Sequence, residues 1–301
     1  MGQLPQIFLN ILTPVFVLVL IGYIAGPRLG LEARTLSRVA YFLLVPAFNF
    51  NILSTAQIDL GVARRMIVYI TIVEVACALA ALLVARLLRR SPEMTGAYIL
   101  IAVFPNVGNF GLPIVQFAFG PDALVAATIY FVAINLISFV IGVAAANWHR
   151  GSNLRTMVAV FKTPALLAVP PALLFNLTGT LPPLVVSRPI ALLAGAMIPV
   201  MLIALGVQLA QAGIPRLDGD MIGASIMRLL GGPALAALVA VPLHMTGLTR
   251  DAGVLQAAMP AAVLASIIAF EHNLLPTFVT ATVLFSTLAS IVTLAVVLAI
   301  L

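Results

Sequence analysis

Charge is what this chain of 301 residues has least of: Asp, Glu, Lys and Arg together make up 8% of it, while 63% is hydrophobic. A soluble domain carries roughly 25% charged residues. No soluble core can hide this much apolar surface, so lipid must cover it. Cysteine occurs once, at Cys77 inside an apolar run, which excludes an internal disulfide. No Lys or Arg precedes the first apolar run, so Ile7–Ala25 lacks the basic start of a signal peptide and reads as a retained first span. Catalytic vocabulary is also missing. His149, His244 and His272 lie far apart in the chain, and no Ser-His-Asp set, carboxylate pair or phosphate-cradling glycine loop occurs in a suitable context. The expectation is a protein that is not an enzyme, holds no metal or cofactor and is not an ATP-driven pump.

What is there is a succession of apolar segments. Ten can be marked, at roughly 6–26, 34–55, 64–88, 94–119, 122–147, 156–177, 186–211, 219–245, 250–270 and 275–300. Turn and charge signals separate them: Gly26-Pro27, Arg90-Ser91-Pro92, Gly120-Pro121-Asp122, Trp148–Asn153, Leu181-Pro182-Pro183 and Pro215-Arg216. The net charge of +6 sits in short basic runs between spans, such as Arg86, Arg89 and Arg90. That is the pattern of cytoplasmic membrane loops rather than of a nucleic-acid surface. With the N-terminus outside, ten basic residues (Arg28, Arg34, Arg38, Arg86, Arg89, Arg90, Arg150, Arg155, Lys162, Arg216) fall in inner loops and four (Arg64, Arg65, Arg188, Arg250) in outer ones. The count places both termini outside the cytoplasm of a cell (plasma or inner) membrane.

Five spans precede Trp148–Asn153 and five follow it, which divides the chain into halves of 1–150 and 151–301. Features recur between the halves at a nearly constant offset: Pro14 and Pro164, Pro46 and Pro199, Glu74 and Arg228, Pro113 and Pro260, at 150, 153, 154 and 147 residues. An odd number of spans per half forces opposite topologies, the inverted-repeat plan of many secondary transporters.

Spans four and nine are broken. Span four reads Phe104-Pro105-Asn106-Val107-Gly108-Asn109-Phe110-Gly111-Leu112-Pro113, and span nine has Met259-Pro260-Ala261-Ala262. Proline and glycine interrupt a helix, and free backbone groups in hydrocarbon cost several kcal/mol each, so such stretches persist where protein or a wet cavity satisfies them. Matched breaks point to a midplane binding site whose half-helix N-termini attract an anion. Asn106 and Asn109 add amides that donate and accept. Glu74 and Arg228 are charges inside spans, either a coupling carboxylate with its partner or a structural ion pair. Asp59 reads as a loop partner for Arg64 and Arg65, and Gln208 and Gln256 as interhelical glue or ligands.

These residues resemble the auxin efflux carrier family, the plant auxin carriers and their bacterial relatives. The resemblance runs over nearly the whole chain: Val45-Pro46-Ala47-Phe48-Asn49-Phe50 in span two, Pro105-Asn106 with Gly111-Leu112-Pro113 and Phe119-Gly120 in span four, Arg228 with Gly232-Pro233 in span eight, and Gln256–Pro260 leading to Glu271-His272-Asn273 and Pro276 in span nine. It implies an all-α integral membrane protein of ten transmembrane helices in two inverted five-helix repeats, with broken helices four and nine crossing at prolines. Scaffold and transport domains would be formed from both halves and move in an elevator-like way. The implied substrate is a small organic anion, an auxin-like indole acid or a small carboxylate such as malate or malonate. Asn106 matches the family asparagine near the carboxylate, and Asn49 and Asn135 fall at positions lining the same cavity. The residues expected to hold the solute are therefore Asn106, Asn109, Gly111, Pro113, Pro260, Ala262, Asn49 and Asn135. The partners expected are that anion and the bilayer, with a homodimer fitting the family and no nucleic acid. Val263-Leu264-Ala265 stands where many bacterial relatives carry an asparagine, and the long cytoplasmic loop of many plant members is missing. Alternatives are a sodium-coupled organic-anion symporter, for which spans four and nine lack a central carboxylate, and a membrane receptor that binds the acid without moving it.

Overall fold

A computed structural model describes residues 6, 8–56, 59–146, 163–212 and 217–301. The Trp148–Asn153 linker, and Arg150, Arg155, Lys162 and Arg216 of the charge count, lie outside them. The described residues form twelve helices: α1 (Thr13–Leu29), led in by a wide turn at Phe8–Leu12; α2 (Ala33–Thr55); α3 (Leu60–Leu87); α4 (Pro92–Val103); α5 (Leu112–Phe119), led in by a wide turn at Val107–Gly111; α6 (Pro121–Ala146); α7 (Pro164–Thr178); α8 (Leu184–Ala212); α9 (Gly219–Ala240); α10 (Gly247–Ala257); α11 (Val263–Glu271); and α12 (Pro276–Ile300). Seven of them, α1, α2, α3, α6, α8, α9 and α12, are long and apolar enough to cross a membrane. The spans expected at 94–119 and 250–270 are each a pair of short helices, α4 with α5 and α10 with α11.

Helix ends follow local chemistry. Ser91 caps α4 by accepting the N–H of Met94 at 3.2 Å, with Pro92 in the first turn where its missing N–H costs nothing. Gly120, at φ 78°, makes the tight turn into Pro121 and α6. The first boundary differs from expectation. α1 runs through Gly26-Pro27 and stops three residues later, where Gly30 takes φ 62° and donates its N–H to Gly26 O.

The exterior of the fold is apolar and its polar residues face inward. On α3, Val68, Ile72, Val75, Leu79 and Leu83 are exposed at helical spacing, while Glu74 and Cys77 are buried on the opposite face. On α12 the exposed stripe is Leu288, Val292, Val296 and Ile300, and Ser286, Thr287 and Ser290 point in. Lipid, not water, is the solvent such a surface requires.

The helices pack in two groups. α1, α2, α7 and α8 form one, with α8 lying along both α1 and α2 and α7 along α2. The other joins α3, α4, α5 and α6 to α9, α10, α11 and α12. Each group draws on both halves of the chain. In the first, α1 and α8 approach until backbones touch. A Cβ on Gly206 would meet Val19 O and stand 2.7 Å from Tyr23 N, and one on Gly22 would meet the Ile203 backbone. Small residues drive this kind of contact between membrane helices.

Candidate functional site

The two broken segments meet. α4 ends at Val103 and α10 at Ala257, and the extended residues beyond them pair antiparallel through Pro105 and Ala261. Asn106 N–H donates to Pro260 O at 2.7 Å, and Ala262 N–H donates to Phe104 O at 2.7 Å. A third interior donor, Ala261 N–H, reaches Ser286 Oγ on α12 at 3.2 Å. In hydrocarbon each of these groups left alone would cost several kcal/mol, so each break satisfies the other.

The proline of span four at this pairing is Pro105, not Pro113. Pro113 sits in the first turn of α5, past the wide turn, where its ring ends no helix. Pro105 and Pro260 are 155 residues apart, closer to the offsets of the other matched pairs than the 147 of Pro113 and Pro260. Proline count alone offered two candidates in span four, and the tertiary pairing chose between them.

The helix start in span four that leaves N–H groups free also lies earlier than expected. Gly111 N–H already donates to Asn106 O at 3.0 Å, and Pro113 has no N–H. The wide turn begins at Val107, so the first-turn N–H groups without an intrahelical acceptor belong to Gly108 and Asn109. In span nine, Ala262 is the cap residue and its N–H is taken, which leaves those of Val263 and Leu264 at the start of α11. Gly111 has a different role. A Cβ there would collide with Gln256 Oε1 and stand 3.1 Å from Met259 Cγ, so glycine lets the turn lie against span nine. Gln256 is fully buried, and its amide reaches Ala127 O at 3.5 Å while Oε1 has no partner.

Asn106 is buried at 4% exposure, and its Nδ2 has no hydrogen-bond partner. Buried amide donors are almost always paired, so this one stands out at the junction of two half-helix N-termini. Asn109 is partly buried in the same turn. The other two asparagines are engaged elsewhere. Asn49 Nδ2 donates to Ala165 O at 3.1 Å, tying α2 to α7, and leaves Oδ1 unpartnered. Asn135 Nδ2 donates to Phe131 O at 2.6 Å, one turn back on α6. Phe131 in turn presses on the wide turn, 2.7 Å from where a Cβ on Gly108 would be. The structure thus brings Asn106, Asn109, Pro260 and Ala262 together at the pairing, sets Asn135 one turn beyond a residue touching it, and anchors Asn49 in the other helix group.

Glu74 and Arg228, each 1% exposed, do not form a direct ion pair within 4.0 Å. Glu74 Oε2 accepts from Ser138 Oγ at 3.4 Å, with Oε1 unpartnered. Arg228 donates instead to backbone, Nη1 to Ala102 O and Nη2 to Ala257 O. An arginine at bilayer depth costs about 2.5–3.5 kcal/mol on insertion scales, and here two helix-end carbonyls take the place of water around the guanidinium. Arg228, Cys77 and Tyr130 remain within electrostatic reach of Glu74, and Tyr69 within reach of Tyr130. The hydroxyls of Tyr69 and Tyr130 are buried without partners. Sequence reading passed over both tyrosines because nothing in an apolar run marks which hydroxyl will point inward.

At the membrane edge, Asp59 is not the partner of Arg64 or Arg65. Its Oδ1 caps α3, accepting from Gly61 N–H at 2.7 Å and Val62 N–H at 3.0 Å, and these bonds hold its carboxyl below the usual carboxylate range. Gln208 Nε2 donates to Ser37 Oγ at 3.0 Å, between helices α8 and α2. Asp220 joins the two halves, accepting from Arg90 Nε at 2.8 Å and from the Tyr98 hydroxyl at 2.9 Å. A cavity of about 190 Å³ lined by Arg86, Arg90, Thr95 and Gly96 lies at this end and not at the broken segments.

A multi-pass helical protein with an apolar coat and paired helix breaks in its interior has the build of a membrane transporter. The membrane transport protein family model matches the chain twice, over residues 7–154 and 149–298, and the chain belongs to that family, the auxin efflux carriers. It is 31% identical to an uncharacterized transporter of Methanothermobacter thermautotrophicus over 285 residues, 93% of this chain and 94% of the relative. It is 24% identical to the uncharacterized transporter YfdV of Escherichia coli K12 over 299 residues, 95% of each. The uncharacterized transporter MJ1031 of Methanocaldococcus jannaschii is 22% identical over 280 residues, 88% of this chain and 90% of that one.

Proposed function

We propose that this transporter carries a small organic anion, an auxin-like indole acid or a small carboxylate such as malate or malonate, by alternating access of the elevator type. The carboxylate sits where the N-terminal ends of the wide turn at Val107 and of α11 converge. It accepts from Asn106 Nδ2, from the Gly108 and Asn109 N–H groups, and from those of Val263 and Leu264. The positive ends of two half-helices offset its charge without a fixed cation in contact. The observation that carries the reading is the buried Asn106 amide with no partner, set between those two helix ends.

Ten crossings in two inverted five-helix repeats fit this reading. Seven continuous helices, the short α7 and the two broken pairs supply ten segments, and the two family matches divide the chain near residue 150. The group of α1, α2, α7 and α8 serves as scaffold, and the group holding the broken segments carries the solute. The excess of basic residues in alternate loops supports termini that face outward. The bilayer and the anion are the partners this reading needs, and a homodimer fits the family.

Counterflow in proteoliposomes tests carriage before coupling. Purified protein is reconstituted, loaded with unlabelled acid, and offered labelled indole-3-acetate or malate. Accumulation of one acid above that in empty liposomes, lost in Asn106→Ala, is the expected result. Binding of both acids without accumulation of either would make the protein a receptor and end the carrier reading. Unchanged affinity and flux in Asn106→Ala would remove the carboxylate from this seat.

A further inference from the structure

Among the described residues Arg228 is the largest fully buried side chain, and its two terminal nitrogens are spent on the carbonyls of Ala102 and Ala257. Those carbonyls belong to the last turns of α4 and α10, the half-helices that run toward the pairing and stop there. A helix C-terminus leaves its last carbonyls without intrahelical partners and carries the negative end of the dipole. Two such ends converging at bilayer depth make a cation seat, and carriers with broken helices use half-helix C-termini of this kind to bind a coupling Na⁺ or H⁺. Here the seat is filled from within the chain.

The backbone around Arg228 is arranged for that approach. The arginine leaves α9 from a wide turn, Met227–Gly231, closed by Gly232 N–H on Met227 O. One turn on from Arg228, a Cβ on Gly232 would stand 2.5 Å from Nη2 and 2.6 Å from Ala257 O. Glycine therefore keeps the path to Ala257 open. Glu74 does not draw the guanidinium away, having no direct bridge to it.

We infer that Arg228 is a resident cation. It is a positioning residue whose guanidinium takes the seat of a coupling cation, ties the C-terminal ends of both half-helices together, and leaves their N-terminal counterparts for the anion. Carriage then needs neither Na⁺ nor K⁺. The flux arm of this inference rests on the anion-carrier reading; its stability arm does not.

Two measurements on the purified full-length chain test it. The first is counterflow of labelled malate and indole-3-acetate with Na⁺, K⁺ or N-methylglucamine as the sole small cation. The second is thermal melting in detergent with and without millimolar guanidinium chloride. Wild type is expected to accumulate acid equally in the three cations, with a melting temperature that guanidinium leaves unchanged. Arg228→Ala is expected to lose about tenfold or more of the flux, since two helix-end carbonyls lose their partner, and to melt lower. Guanidinium should raise both again. Arg228→Lys should fall between, because one ammonium does not present the planar fork that serves two carbonyls. If Arg228→Ala cannot be purified, Gly232→Ala keeps the charge and displaces it, with a drop in melting temperature and flux expected.

Strict dependence of wild-type flux on Na⁺ overturns the inference. So does wild-type melting in Arg228→Ala or in Gly232→Ala, or a loss in Arg228→Ala that guanidinium fails to restore. The two readings separate cleanly. A wild type that moves neither acid, with melting rescued by guanidinium in Arg228→Ala, sinks the anion reading and leaves the resident cation standing. A wild type that moves acid with Na⁺ alone does the reverse.

Discussion

At the scale of single residues, Asn106 has opposite consequences for binding and for stability. Its unpartnered amide is a cost in the empty protein and, on the reading proposed above, a gain once an anion arrives. Hydrogen bonds to charged groups contribute about 1.5–3 kcal/mol, so Asn106→Ala should weaken acid binding roughly ten- to a hundredfold. The same change should leave the melting temperature of the ligand-free protein equal or slightly higher, because a buried orphan donor disappears. Thermal shift with and without acid reads both effects. Asp59 shows a residue effect with a pH sign. Its carboxyl is held below its ordinary value by two backbone N–H groups. The cap therefore stabilises α3 fully above the unfolded pKa and is lost as pH falls through the depressed folded value. Asp59→Asn keeps an acceptor and drops the charge, so its melting temperature should lose this acid limb while matching wild type closely near neutrality.

At the scale of elements, the paired breaks act as one unit although 155 residues separate them. Ser286 on α12 belongs to that unit through Ala261 N–H. Ser286→Ala leaves a buried donor unmet and should cost about 1–3 kcal/mol, seen as a lowered melting temperature, with Ser286→Thr retaining much of it. The α1–α8 contact is the other element-scale determinant. Gly206→Val places a branched side chain against the Val19 and Tyr23 backbone, where overpacking costs about 1–3 kcal/mol even among flexible side chains. A larger loss is expected here because backbone cannot step aside. Of the fold at this scale, the apolar helices and the breaks at Ser91-Pro92, Gly120-Pro121 and Pro182-Pro183 were legible from proline, glycine and charge. The resemblance implied that the two breaks cross, but which residues pair was not legible, because an extended pair of residues with two hydrogen bonds leaves no periodic signal.

At the scale of the whole molecule, the elevator reading proposed above has the two helix groups move against each other. Phe16 of α1 and Phe110 of the wide turn touch edge to face, with ring centroids 5.6 Å apart, and join the group of α1, α2, α7 and α8 to the group holding the broken segments. The single native thiol, Cys77, is buried, so a background with Cys77→Ala accepts paired cysteines at 16 and 110. Bridging that pair with a short bifunctional thiol reagent should abolish counterflow while acid still shifts the melting temperature. Equal flux before and after bridging would count against relative movement of the two groups.

By itself the sequence determined the solvent, the helical class and the family. Those rest on composition, on the length of apolar runs and on motifs in order, all of which are local properties of a chain that lipid must cover. It also marked Asn106, Asn109, Pro260 and Ala262 as neighbours of a break. Only the tertiary structure decided that Pro105 rather than Pro113 meets span nine, that the free N–H groups belong to Gly108, Asn109, Val263 and Leu264, and that Arg228 turns to Ala102 and Ala257 instead of Glu74. Each of those outcomes is a choice among partners far apart in the chain, and in a medium without water the choice goes to whichever contact leaves the fewest backbone groups unmet.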